Sequence, residues 1–332
     1  MIIKILITGA TGYVGHRLAL TLAERKNEIH ILVRNPNSDN IPSHKNIRVF
    51  SGDITDKQSI TTAINGCEQV YHIAAIVKPF DKDPSLFHKV NVEGTRNLLA
   101  IALETGVKKF VFTSSCSVIG STIKEAMCEN DTRITPLDNE YDTTKFLAEN
   151  LVKEYSYKGL FTVIVSPSKV FGPSGFETKI ISVNTIINKF IKGEFTFIPK
   201  PSKLVANYCF IDDVVEGHIL AMSKGSSGEK YILGGENISF EELFNTIRTL
   251  SGTKARLIEV PKIFVKVWAI LQWIQYKTIH KEPFITDKSI QQIFCNKIFS
   301  SEKATRELGY NITPLEDSLK QTIHFLKNQY HV

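Results

Sequence analysis

Short β-branched, apolar runs alternate with amphipathic stretches from the start of the chain to about Pro173. Ile2–Thr8, Glu28–Val33, Ile47–Ser51, Gln69–Ala74, Lys109–Ser114 and Thr162–Ser166 predict strands. Tyr13–Arg25, Lys57–Asn65, Asn91–Thr105 and a stretch carrying Tyr141 predict the helices between them. Strand, helix, strand at this rhythm implies parallel pairing with right-handed crossovers. Phe110-Val111-Phe112 and Val163-Ile164-Val165 are apolar without alternation, as expected of strands covered on both faces. The expected fold class is therefore α/β, with a doubly wound parallel sheet.

After Pro173 the texture changes to helical patterns at Ile180–Lys192, Asp212–Lys224, Ser239–Leu250 and Leu315–Lys327, with a strand-like Lys230–Leu233. Residues 1–173 are read as the sheet domain, rejoined by elements from about 205–235. Residues 174–332 are read as a smaller α/β lobe interleaved with it. Val260–Tyr276 is far more apolar than one helix stripe requires. It is open to four readings: a lid, a buried helix, a dimer contact or a membrane-surface patch.

The first strand ends in Thr8-Gly9-Ala10-Thr11-Gly12-Tyr13-Val14-Gly15, and a helix pattern follows at once. Glycines 9, 12 and 15 permit a tight turn, close approach of backbone to a pyrophosphate, and close packing of helix on strand. Free N–H groups and the helix dipole would receive the negative charge. This predicts a Rossmann-type dinucleotide-binding turn. The second strand ends in Arg34, where an acid would accept from a ribose 2′-hydroxyl. An arginine cannot accept that bond, but its fork suits a 2′-phosphate, so NADP(H) is expected over NAD(H). Asp53 follows the third strand and is placed either to accept from the adenine amino group or to cap a turn.

Composition narrows the partners. The net charge of +6 comes from 40 basic and 34 acidic residues spread along the chain, without an arginine-rich run, which argues against nucleic acid. Cys67, Cys116, Cys128, Cys209 and Cys295 are widely separated and include no Cys-x-x-Cys pair. Reduced thiols and no metal site are expected. No signal peptide or membrane span is read, so a cytoplasmic location is expected.

Tyr141-Asp142-Thr143-Thr144-Lys145 places a phenol and an ammonium four residues apart on one helix face. Such a lysine favours the ionised phenol, whose ordinary pKa is about 10, and makes the pair an acid/base candidate.

Taken together, these segments make the chain resemble the extended short-chain dehydrogenase/reductases, also called the NAD-dependent epimerase/dehydratase superfamily. Further matching segments, in the family's order, are Gly52-Asp53-Ile54, His72-Ile73-Ala74-Ala75, Asn91–Thr95, Phe112–Ser115, Pro167–Pro173 and Phe210–Val214. The resemblance implies that Tyr141 is the catalytic acid/base, that Lys145 lowers its pKa and binds the nicotinamide ribose, and that Ser115 orients the substrate carbonyl. Ser114 and Ser117 are rivals for the last role. It also implies that Ala74, Ala75 and Val77 line the cofactor cleft and that Pro167 and Val170 flank the nicotinamide. Thr11, Tyr13, Val14, Ile54 and Thr113 complete the expected cofactor-binding set.

Within the family, several polar groups of sugar-nucleotide enzymes are missing. Ile119 replaces a tyrosine after the catalytic serine, Ala206-Asn207-Tyr208 lacks an arginine, Ser166 replaces another, and Cys116-Ser117 replaces the dehydratases' Asp-Glu pair. The chain is similar in character to the dihydroflavonol-reductase and 3β-hydroxysteroid-dehydrogenase-like branch. Gly120, however, stands where plant dihydroflavonol reductases carry asparagine. The implied activity is hydride transfer between a nicotinamide and a small to medium apolar ketone or secondary alcohol. The alternatives are a nucleotide-sugar 4-epimerase or dehydratase with tightly bound NAD, and a non-enzymatic NADP sensor. A homodimer through helices near Asn91–Thr105 and Lys145–Tyr157 is a further implication of the resemblance.

Overall fold

The computed structural model describes residues 2–78, 81, 83–122, 125–137, 139–174, 183–194, 197–280, 283 and 287–329. In chain order the first part runs β1 (Lys4–Thr8), α1 (Tyr13–Glu24), β2 (Glu28–Val33), β3 (Ile47–Ser51), α2 (Lys57–Ile64) and β4 (Gln69–His72). It continues with α3 (Ser85–Phe87), a π-helical stretch His88–Gly94, α4 (Thr95–Glu104), β5 (Lys109–Thr113), α5 (Glu140–Tyr157) and β6 (Thr162–Pro167). Next come β7 (Lys169–Phe171), α6 (Val183–Ile191), β8 (Phe197–Lys200), β9 (Val205–Phe210), α7 (Ile211–Lys224), β10 (Lys230–Leu233) and β11 (Glu236–Ser239). The chain closes with α8 (Phe240–Ser251), β12 (Ile258–Pro261), α9 (Lys262–Ile279), α10 (Asp287–Ile293), α11 (Glu302–Leu308) and α12 (Leu315–Gln329).

Seven strands form one parallel sheet in the order β10-β6-β5-β4-β1-β2-β3. The uninterrupted apolar runs are the physical reason, since both faces are covered. Leu18 and Ala19 of α1 with Val214 of α7 pack on one face, and Ile60 of α2, Leu98 and Leu99 of α4 and Val152 of α5 pack on the other. Strand order reverses between β1 and β4. That opens a crevice at the carboxyl edge, where ligands of such sheets bind.

β7, β9 and β11 form a second sheet, with β9 parallel to β7 and antiparallel to β11. β8 and β12 pair separately. None of these five strands is evident in the hydrophobic pattern, because they are only three to six residues long and two of them carry proline. Of the expected helix Ile180–Lys192, residues 180–182 lie outside the described residues, and α6 covers the rest.

The helix α9 is not buried. Ile263, Phe264, Ile270, Leu271 and Ile274 are 52–64% exposed, and of the whole helix only Ala269 and Gln272 are buried. Among the described residues no helix is long and apolar enough to cross a membrane.

Candidate active site

The turn after β1 is built from backbone. Gly9 adopts φ +81°, and a Cβ there would lie 2.6 Å from the Ala74 nitrogen. A Cβ on Gly15 would press on the Gly9 carbonyl oxygen, so helix and strand approach as closely as only glycine allows. The Gly12 N–H donates to Gly9 O at 2.9 Å, and α1 starts with no side-chain cap and no acid in its first turn. The amino end of α1 is therefore open to an anion, and a dinucleotide pyrophosphate fits this cradle. Tyr13 has a different task. Its hydroxyl donates to Gly172 O at 2.6 Å and accepts from the Asn184 amide at 3.2 Å, tying the turn to the second sheet. Thr11 and Val14 are half-buried beside it.

Tyr141 lies in the first turn of α5, which begins where the Asn139 side chain accepts from the Asp142 N–H at 2.7 Å. Its hydroxyl lies within reach of the Ser115 side chain, which acts to lower its pKa. Ser115 follows β5, so two groups 26 residues apart in sequence meet at the carboxyl edge of the sheet. The rival serines face elsewhere. Ser114 donates to Glu149 at 2.5 Å, and the buried Ser117 hydroxyl has no partner among the described residues.

Burial pushes the Tyr141 phenol up to about 12, and the Ser115 side chain opposes this only in part. A phenol nearer neutral pH, expected from the lysine one turn on, is not what the protein alone produces. The reason is where Lys145 points. Its ammonium donates to Thr113 O and lies 4.2 Å from the centre of the Phe112 ring. Burial brings Lys145 down to about 7, against the pull of the Glu149 carboxylate one further turn along.

Three buried groups to which motif reading gives no role hold this arrangement. His72, at the end of β4, bonds Thr8 Oγ1 at 2.7 Å and Thr95 Oγ1 at 2.8 Å. Thr95 donates to Asn91 O, so it accepts from His72 Nε2–H, and the ring is neutral with Nδ1 as acceptor. Burial takes the His72 pKa down to about 3. Asn91, on the π-helical stretch, accepts from Ile76 N at 2.7 Å and donates to Thr144 at 3.0 Å, clamping the loop after β4 to α5. Glu149 pairs with Lys230 of β10 at 2.9 Å, both nearly buried. The i+4 spacing from Lys145 marks Glu149 in the sequence, whereas nothing local marks Lys230 as its partner.

Arg133 fixes the floor. It donates to the carbonyls of Thr135, Pro136, Ser117 and Val118. A Cβ on Gly120, where φ is +104°, would meet the Arg133 side chain at 3.0 Å. An asparagine at 120 would have to push Arg133 and Thr135 aside in a backbone conformation that side chains rarely adopt.

The remaining expected residues fall as follows. Arg34 is exposed just beyond β2, and its guanidinium makes no hydrogen bond among the described residues. Asp53 accepts from Thr55 N at 2.8 Å, the geometry of a turn cap, and leaves its second oxygen without such a bond. Ile54 is buried against Gly94. Ala74 packs on Gly9, Ala75 is half-buried, and Val77 is 61% exposed. The Thr113 hydroxyl is bound to His218 at 2.9 Å. Pro167 ends β6 and Val170 pairs with Cys209.

Among known proteins, a putative dihydroflavonol 4-reductase of Synechocystis is 28% identical over 98% of this chain and 95% of its own length. A 3-beta-hydroxysteroid dehydrogenase of Mycolicibacterium neoaurum is 28% identical over 92% of this chain and 86% of its own. The crystal structure of gox2253 superposes with a TM-score of 0.83 at 31% identity, covering 99% of each chain. Residues 5–234 match the NAD dependent epimerase/dehydratase family. The chain belongs to that family and is an NAD(P)-dependent enzyme of the short-chain dehydrogenase/reductase type.

Proposed function

We propose that the protein reduces an apolar ketone to a secondary alcohol, with NADP(H) as the preferred dinucleotide. The observation that carries this reading is the approach of Ser115 to the Tyr141 hydroxyl at the carboxyl edge of a sheet whose first helix has an open amino end. When bound, the nicotinamide supplies the hydride. Ser115 holds the ketone oxygen, and Tyr141 donates its phenolic proton to it. A phenol pushed up to about 12 is protonated at neutral pH, the form that can donate. Lys145, moving from Thr113 O to the ribose hydroxyls, would then stabilise the phenolate left by the transfer.

The polar groups that a sugar nucleotide would need are missing or engaged. Ser166 is buried with its hydroxyl unpartnered, and Asn207 is tied to Gly235 and Asn237 at 2.8 Å each. The names of the two relatives, a reductase and a hydroxysteroid dehydrogenase, support the same choice. A panel of ketones and alcohols, screened with NADPH/NADP and NADH/NAD at matched concentrations, tests it. Ketone reduction with at least a tenfold NADPH preference in kcat/KM is expected, and Arg34→Asp is expected to reverse the preference. Retained NAD together with conversion of a UDP-sugar would refute the reading.

The exposed helix α9 serves as a membrane-surface contact through which an apolar substrate enters. It carries Lys262, Lys266 and Lys277 and no acid, so its charge complements an anionic lipid surface. Co-sedimentation is expected with phosphatidylglycerol vesicles, much less with phosphatidylcholine alone, and is expected to drop on Phe264→Glu/Ile274→Glu substitution. Loss of self-association by light scattering in that variant, with vesicle binding unchanged, would make α9 a dimer contact instead. The homodimer is assigned to α5, where Phe146, Leu147 and Tyr157 are exposed.

A further inference from the structure

We propose that Lys169 and Lys297 form an anion subsite beside Tyr141 that takes a carboxylate carried by the substrate. The proposal rests on the ketone-reductase reading and narrows its substrate to apolar keto acids.

Strand register brings the two lysines together. Lys169 of β7 is the partner of Tyr208 on β9, and Lys297 bridges to Ala206 on the same strand while its N–H donates to Val205 O at 2.9 Å. Registered partners share a face of a sheet, and residues 206 and 208 point the same way. Both lysine side chains therefore leave the same face, about 7 Å apart along the strand direction.

That face adjoins the reacting groups. Lys169 lies two residues beyond Pro167, which ends β6 at the carboxyl edge. Gln292, five residues before Lys297, donates to Asp142 Oδ2 at 3.0 Å, which brings the Lys297 segment to the start of α5 beside Tyr141.

Among the described residues neither ammonium has a hydrogen-bond partner. The Lys169 Nζ lies 5.6 Å from the centre of the Tyr208 ring and 5.3 Å from that of Phe240, with no carboxylate or carbonyl bonded to it among the described residues. Asp142 Oδ2 takes hydrogen bonds from Asn139 and Gln292 and lies 3.7 Å from Arg133, with no hydrogen bond to Lys297. Burial first, and Lys297 second, hold Lys169 down to about 7, and burial holds Lys297 below its ordinary range. Charging both lysines in a desolvated site, where among the described residues only Asp142 offers opposite charge, is unfavourable, and an anion between them relieves both desolvation and repulsion. Two ammonium groups, one of them against the Tyr208 and Phe240 rings, suit one carboxylate. A diphosphate would need more donors, and the neighbouring Asn207 and Arg133 are already engaged.

The test uses the NADP-loaded protein with decanoate and 1-decanol, titrated calorimetrically at pH 8 in two buffers of different ionisation enthalpy. Decanoate is expected to bind at least tenfold more tightly than decanol and to take up close to one proton, flagged by Lys169 becoming charged (about 0.9 from a pKa near 7). Lys169→Met is expected to lose the tenfold advantage and the proton uptake, and Lys169→Arg to keep the advantage without the uptake. An unlowered melting temperature certifies the folded variants. Equal binding of decanoate and decanol, or full decanoate affinity in Lys169→Met, would overturn the subsite. So would UDP-glucuronate binding that depends on Lys169 while decanoate is ignored. Neutral-ketone reduction by the unmodified protein separates the two levels: if it proceeds while decanoate is ignored, the reductase reading stands and the subsite fails. If no ketone is reduced while decanoate binds through Lys169, the reverse holds.

Discussion

Tyr141→Phe is expected to lower ketone reduction by about a thousandfold while leaving dinucleotide affinity within a few-fold of the parent. The substitution removes one hydroxyl and keeps the ring that is packed at the start of α5. It deletes the proton donor and the Ser115 contact together. The glycine turn and the open amino end of α1 are untouched, because they are backbone features on the other side of the crevice. Since Ser115 acts on the same oxygen, the double variant Tyr141→Phe/Ser115→Ala is expected to be little worse than Tyr141→Phe alone. Stopped-flow or steady-state kinetics with the best ketone of the panel, alongside NADPH titration, provide the check. Unchanged turnover in Tyr141→Phe would remove the tyrosine from the chemistry.

The second large effect is on stability in mild acid. His72 and His218 are both buried and neutral in the fold. His218 Nδ1–H donates to Val214 O at 2.7 Å and Nε2 accepts from Thr113, and burial takes its pKa down to about 4. The unfolded chain takes up protons on these rings near pH 6.5, whereas the folded protein resists until about pH 3 for His72 and 4 for His218. The stability they contribute is thus complete above pH 6.5 and falls as pH drops below it. Between pH 6.5 and 5 the two together are expected to cost about 3 kcal/mol, read from urea midpoints at the two pH values. Nitrogen-15 shifts of the two imidazoles should show neutral Nε2–H for His72 and neutral Nδ1–H for His218. A flat stability profile over that interval would show that the rings protonate within the fold. Because His72 sits between Thr8 and Thr95, and His218 holds the Thr113 side chain, this acid response also reports on the crevice.

Five of the first six strands were legible because burial on both faces demands uninterrupted apolar runs, as Lys109–Thr113 and Thr162–Pro167 show, whereas the edge strand β3 is largely exposed. The second sheet was not. Val205–Phe210 carries Asn207 and Cys209 at positions that only its neighbours explain, since Asn207 serves Gly235 and Asn237 across the sheet. Val260–Tyr276 is an instructive intermediate case. Its apolar excess is plain in the sequence, but the same residues would serve a core or a surface, and only the fold shows them facing outward.

By itself the sequence determined the parallel α/β order, the glycine turn and the Tyr141–Lys145 pair, because each depends on spacing of a few residues along one element. Tertiary structure decided what surrounds them. Glu149 and Lys230 meet across 81 residues, and Lys169 and Lys297 align on one strand although nothing nearby in sequence relates them. Tyr141 is held protonated because desolvation outweighs the pull of Ser115 and because Lys145 is drawn to Thr113 O. Spacing specifies which side chains share an element; burial and long-range pairing set the charge each one carries.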